Sequence, residues 1–587
     1  AATPSAPAAG AASETPDEFV ARVNRELTVL AQEAQAAGFT QDTDITPDTE
    51  LLTARATERY LAYLSRAVAE AQRYDGQRLS GATARALMKL RLNVAAPAPD
   101  DPVKRARMTQ LEARMQSMYT EGRYCPHGPK SCKSIDELQE VMATSRDYAQ
   151  LRDAWRGWHG IGAGMRDDYA EFVGLANEGA RELGFADLGV MWRSGYDMSP
   201  QAFEDLSERL WQQVKPLYVS LQCYARGRLA QRYGAERVSP GKPIPAQLFG
   251  NMWAQQWTRI YADILRPYPQ AGVASADARL KSEQWDAVRM ARSAESFYTS
   301  LGFAPLPASF WQRSMLTRPR DREVVCHASA WDMAFPGDVR IKACLEPTEQ
   351  DLYVTYHELG HVYYYLSYAR QPFLFRNGAN DGFHEAIGDT VNLSVTPGYL
   401  ASIGLIPQAA AGREALINQQ MKMALEKIPF LPFARLVDEW RWKVFSGEVS
   451  PASYDSAWWE LRLRYEGIAP PVPRTEADFD PGAKYHIPSN TPYTRYFLSD
   501  ILQFQFHKAL CAAAGSHAPL YECSVYGSRE AGRRLAAMLS LGASEPWQDA
   551  LEKLTGSRDI DAGAILEYFQ PLMQWLDEQN KGQQCGW

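Results

Sequence analysis

Long apolar runs are missing from this sequence. Nowhere do 18 or more apolar residues follow one another, so no helix is expected to span a membrane. The start lacks the basic stretch and apolar core of a signal peptide, as would a mature chain that had lost one. No CxxC spacing occurs, which argues against a cysteine zinc site or a thioredoxin-like motif. GxSxG, Walker A and GxGxxG patterns are absent, so serine-hydrolase and nucleotide chemistry are unsupported. There is no excess of positive charge. The formal net charge is −8, which argues against binding a nucleic-acid backbone. No repeat of fixed period is visible, and no polar or Gly/Ser linker divides the chain after its first residues.

What remains is a large globular chain. It has 587 residues, 45% of them hydrophobic and 22% charged, enough to bury a sizeable core. Residues 1–15, rich in Ala, Pro, Ser, Gly and Thr, read as a flexible leader. Residues 16–587 read as one catalytic domain, starting at the capping box Thr15-Pro16-Asp17-Glu18. Ser134 and Glu137 repeat that device. The pattern thereafter is mainly α. One example follows Ser199 and Pro200, where Leu206, Leu210, Val214, Leu217 and Leu221 make a single apolar face. Strand signals are sparse. The best is a hairpin with arms Val324–Trp331 and Val339–Cys344 around a Phe335-Pro336-Gly337-Asp338 turn.

Six of the eight cysteines fall into close pairs: Cys125 with Cys132, Cys326 with Cys344, and Cys511 with Cys523. Short disulfide loops, and hence an oxidising compartment, fit this spacing better than buried thiols do. Cys223 and Cys585 have no obvious partner.

The strongest chemical signal is His357-Glu358-Leu359-Gly360-His361. On a helix, positions i and i+4 share a face, so both imidazoles can reach one Zn²⁺. Glu358 then projects where it can take a proton from an activated water. A catalytic zinc needs a third protein ligand and one open position. Glu385, 24 residues beyond His361, is the expected ligand, with its neighbour His384 as the alternative. Asp389, one helical turn past Glu385, is placed to hydrogen-bond a ligand imidazole. Farther on, Lys484, His486, Tyr493, Arg495 and Tyr496 suggest an anion-binding wall that would help stabilise an oxyanion. A solvated loop with aromatic core residues is the competing interpretation.

These residues resemble the angiotensin-converting enzyme family of peptidyl-dipeptidases. The resemblance runs from about residue 17 to the C-terminus. It is most specific at Gly250–Gln255, Val325–Asp332, HELGH with GFHEAIGD, Pro471–Thr475 and Lys484–Tyr496. It implies a two-lobed helical ellipsoid with a deep central channel and a small β-hairpin beside the zinc helix. It also implies release of dipeptides from the free C-terminus of oligopeptides. By motif, His357, His361 and Glu385 would hold the zinc and Glu358 would be the general base. Tyr496 would donate to the oxyanion, and His486 and His327 to the substrate backbone. Gln255, Lys484 and Tyr493 would hold the terminal carboxylate, and backbone groups of Ala328 and Ala330 would pair with the peptide. Chloride would sit at Tyr196 with Arg495, and at Trp458 with Arg462. At the latter site His159 stands where the family usually has Arg, which weakens that expectation. The three close cysteine pairs match disulfides of the family. The resemblance further implies a soluble, monomeric, single-domain bacterial member without a membrane anchor, secreted or periplasmic after signal removal. The competing activity is that of a helical zinc endo-oligopeptidase, which would not need Gln255, Lys484 and Tyr493.

Overall fold

Several of the long helices begin where the sequence supplies a capping side chain. The computed structural model describes residues 14–272, 275–407 and 412–587. Thr15 caps Pro16–Thr43 in a reciprocal box with Glu18, and Ser134 with Glu137 does the same for Ile135–Thr144. Ser199 caps Pro200–Tyr233, which continues past an internal Pro216 and buries Leu206, Leu210, Val214, Leu217 and Leu221. Residues 1–13 of the expected leader lie outside the described residues. Glu14 and Thr15, assigned to that leader, belong to the folded part, where Glu14 pairs with Arg22 and Arg73.

The mainly α architecture holds throughout. Most buried apolar side chains, from Met108 to Leu576, form one continuous core. A second, smaller core lies among the first three long helices. There Phe19, Val23, Leu27 and Leu64 pack with Leu87 and Leu90, and with Leu374 and Phe375 from far along the chain.

Among the described residues β structure is confined to two small sheets. Ile244–Pro245 pairs parallel with Ile468–Ala469. Ser329–Asp332 pairs antiparallel with Val339–Lys342, Ala330 opposite Ile341. This hairpin is shorter than the sequence suggests, because its outer arms find other partners. Val325 N–H donates to Asp42 O at 2.8 Å, on the end of the first long helix. Ala343 and Leu345 donate instead to Met315 O and Leu316 O, at 2.7 and 2.9 Å.

Four disulfides are present, and no cysteine among the described residues is free. Three are the close pairs expected. The fourth supplies the partner that the sequence left open for Cys223 and Cys585: they bond to each other across 362 residues. Arg226 reinforces that clasp by donating to Gly586 O at 2.6 Å. No described helix is long and apolar enough to cross a membrane.

Candidate metal centre and carboxylate pocket

Two helices cross to build the centre. Glu349–Tyr368 carries His357, Glu358 and His361, and Phe383–Ser394 carries Glu385 and Asp389. Glycines allow the close crossing. A Cβ on Gly360 would lie 2.7 Å from Gly388 Cα, and one on Gly388 would lie 2.7 Å from His357 Nδ1.

At the crossing, two imidazoles and one carboxylate converge. His357 Nε2 lies 3.2 Å from His361 Nε2 and 3.3 Å from Glu385 Oε1, and His361 Nε2 lies 3.5 Å from Glu385 Oε2. A tetrahedral ion with bonds of about 2.0–2.1 Å holds its ligand atoms about 3.3 Å apart. Two imidazole nitrogens and a carboxylate at that mutual spacing fit a zinc-type ion, with a position left over. Glu358 is buried beside them.

Each imidazole has its own outer partner. His357 Nδ1 lies 3.0 Å from Asp389 Oδ1. His361 Nδ1 lies 3.1 Å from His384 Nδ1, whose Nε2 meets the Tyr368 hydroxyl at 2.9 Å. Burial keeps His384 neutral, so it can accept the His361 Nδ1 proton and leave the His361 Nε2 lone pair free. His384, the alternative ligand, therefore supports a ligand while Glu385 faces the two imidazoles. Sequence reasoning missed this role, because Tyr368 and His361 come from the other helix.

The expected wall lies on the Asp480–Ala483 turn and the loop that follows it, leading to the helix Thr494–Ala513. Lys484 Nζ donates to Gln255 Oε1 at 2.9 Å and lies 5.6 Å from the centre of the Tyr493 ring. The turn is anchored by Trp158 and Trp253, whose indole N–H groups both donate to Ala483 O at 2.9 Å. Burial, and then repulsion from Arg462, pushes the Lys484 ammonium down to about 7. The trio Gln255, Lys484 and Tyr493 is thus a buried, partly satisfied cationic pocket.

The rings of His486 and Tyr496 lie 5.6 Å apart, and those of Tyr493 and Tyr496 lie 5.0 Å apart. Burial, helped by Lys484, Arg441 and Arg495, lowers His486 to about 3, so it is neutral at ordinary pH. Burial raises the Tyr496 phenol, which therefore keeps its proton. Tyr496 shares a cavity of about 670 Å³ with His361, Glu385, Ala330 and Arg376. Arg376 was not anticipated. Ala330 lies on a strand whose partner occupies only one edge. His327 is exposed, and its carbonyl accepts from Lys342 Nζ at 2.8 Å.

Both places expected for chloride contain a carboxylate. Tyr196 donates to Asp381 Oδ2 at 3.0 Å, and Arg495 Nε lies 3.4 Å from the same oxygen. Arg462 donates to Glu466 Oε2 at 2.6 Å and to Trp253 O at 2.6 Å, its guanidinium 6.0 Å from the Trp458 ring. His159 stacks on Trp155, bonds to Trp155 O at 2.9 Å and is kept neutral by burial.

Comparison with known proteins agrees with this geometry. The family described as "Angiotensin-converting enzyme" matches residues 11–587. Angiotensin-converting enzyme of Bos taurus is 45% identical over 583 residues, covering 97% of this chain and 44% of the relative. That of Rattus norvegicus is 44% identical over 579 residues, again 97% and 44%. The Theromyzon tessulatum enzyme is 42% identical over 479 residues, 81% of this chain and 77% of its own. The chain thus spans less than half the length of the mammalian relatives. With the family matched from residue 11 to residue 587 and the two-helix donor set in place, this chain belongs to the angiotensin-converting enzyme family.

Proposed function

We propose that this chain is a zinc-dependent peptidyl-dipeptidase, which removes dipeptides from the free C-terminus of oligopeptides. The observation that carries the reading is one buried cation pocket, Lys484 with Gln255 and Tyr493, built beside a three-donor metal seat.

Bound at His357, His361 and Glu385, zinc would acidify water and polarise the scissile carbonyl. Glu358 takes the proton of the attacking water and passes it to the leaving amine nitrogen. Tyr496 O–H donates to the developing oxyanion, and neutral His486 donates to the substrate backbone. Ala328 and Ala330 pair with the peptide along the open strand edge, and His327 donates to its backbone. Lys484, Gln255 and Tyr493 hold the terminal carboxylate. An amidated end would leave a buried charge unpaired, which converts a binding pocket into an exopeptidase ruler.

In this reading residues 16–587 act as a single catalytic domain, supported by the core drawn from Met108 to Leu576 and by Leu374 and Phe375, which enter the smaller core of the first helices. The four disulfides fit an oxidising, extracellular-type compartment, and we place the chain in the periplasm or outside the cell. Chloride would have to compete with Asp381 at Tyr196 and Arg495, and with Glu466 at Trp458 and Arg462. Its activating effect is therefore small.

Mass spectrometry of the products from one peptide, as free acid and as C-terminal amide, tests the proposal. Stepwise dipeptide loss from the acid alone, abolished by a chelator, is the expected result. A single interior cut in both peptides would replace it with an endo-oligopeptidase.

A further inference from the structure

A lysine lies behind the metal centre where no motif announces one. Lys427 ends the helix Arg413–Lys427, and its side chain is only 16% exposed. Its ammonium lies 3.4 Å from Asp389 Oδ2, 3.6 Å from Glu426 Oε1 and 3.8 Å from Asp500 Oδ1. Gln503 joins the group, its amide N–H donating to Asp500 Oδ1 at 2.9 Å and reaching Asp389 Oδ2 at 3.5 Å.

The two oxygens of Asp389 are divided between these partners and the centre. Oδ2 faces Lys427 and Gln503, and Oδ1 lies 3.0 Å from His357 Nδ1. With both oxygens engaged, the carboxylate cannot turn away from the imidazole without giving up the shortest of the three carboxylate contacts of a largely buried ammonium. Asp389 also shares its helix with the Glu385 carboxylate one turn earlier, so a cation on its far side offsets like-charge crowding. A plain core ion pair would not need an oxygen aimed at a ligand ring.

We infer that Lys427 is a positioning residue of the metal centre. Through Asp389 it holds His357 Nδ1–H, and so aims the His357 Nε2 lone pair at the ion. This rests on the zinc reading above.

The test is zinc affinity by competition with a chromophoric chelator, for wild type, Lys427→Met, Lys427→Gln and Lys427→Arg. Far-UV circular dichroism of the metal-free proteins accompanies it. Both neutral variants should bind zinc about 10–100-fold more weakly. Arg should restore affinity to within roughly threefold, since it keeps the charge. The metal-free spectra should be unchanged. Should Lys427→Met fail to fold, Lys427→Gln carries the comparison. Wild-type affinity in the neutral variants, or Arg as weak as Met, would overturn the inference. A wild-type chain that binds no zinc would instead overturn the zinc reading itself.

Discussion

The partly buried metal centre and the buried Lys484 pocket are both charged, yet they are built in opposite senses. At the centre both imidazoles are backed: His357 by Asp389, His361 by His384, and Asp389 in turn by Lys427. The pocket leaves Lys484 with one neutral oxygen partner, Gln255 Oε1, and the faces of Trp253, Phe433 and Tyr493. A closed network suits a resident ion that must stay. An under-satisfied cation suits a ligand that arrives, supplies the missing charge and leaves. The contrast teaches that buried charge marks function most clearly where its partner is absent from the fold.

The contrast can be broken first at Glu358. Glu358→Gln should lower kcat at least ~100-fold while zinc content, measured by atomic absorption, stays at wild-type level. Lys484→Met should act on the other half. KM for a free-acid peptide should rise ~10–100-fold with kcat changed little, and the preference for acid over amide should collapse. Steady-state kinetics on the paired peptides reads both effects.

The pH profile sharpens the contrast further. Burial has depressed Lys484 to about 7 in the free enzyme, so its charge is present below that pH and lost above it. A bound carboxylate needs the charge back. KM should therefore rise above pH 7, by up to ~10-fold per unit, and flatten below it. Lys484→Met should abolish that limb. His486, already neutral above about 3, contributes nothing in this range. The smallest effect concerns chloride. Because Asp381 and Glu466 already face the cationic groups, replacing chloride by a non-coordinating anion at fixed ionic strength should change kcat/KM by no more than roughly twofold. Asp381→Asn should enlarge that response.

How far the sequence carried depended on spacing. His357 and His361 were legible because i and i+4 must share a helix face, and Glu385 because Asp389 repeats that relation one turn on. Capping boxes at Thr15 and Ser134 announced helix starts through contacts three residues apart. Features made of distant partners were not legible. Cys223 and Cys585 are 362 residues apart, and proximity in the chain says nothing about such a pair. Lys427 approaches Asp389 from another helix. Tyr196 and Arg495 matched a pattern, but the pattern did not include Asp381 between them. The hairpin arms were overextended because alternation cannot show that Val325 bonds to Asp42 rather than to its own partner strand.

The central claim is that His357, His361 and Glu385 seat one zinc ion. X-ray absorption at the zinc edge on the zinc-loaded protein tests it most directly, with Glu385→Ala as the comparison. The account predicts one ion per chain with two imidazole nitrogens and oxygen donors at about 2.0–2.2 Å, and loss of the carboxylate oxygen in the variant. A zinc shell containing sulfur, or one left unchanged by Glu385→Ala, would contradict it.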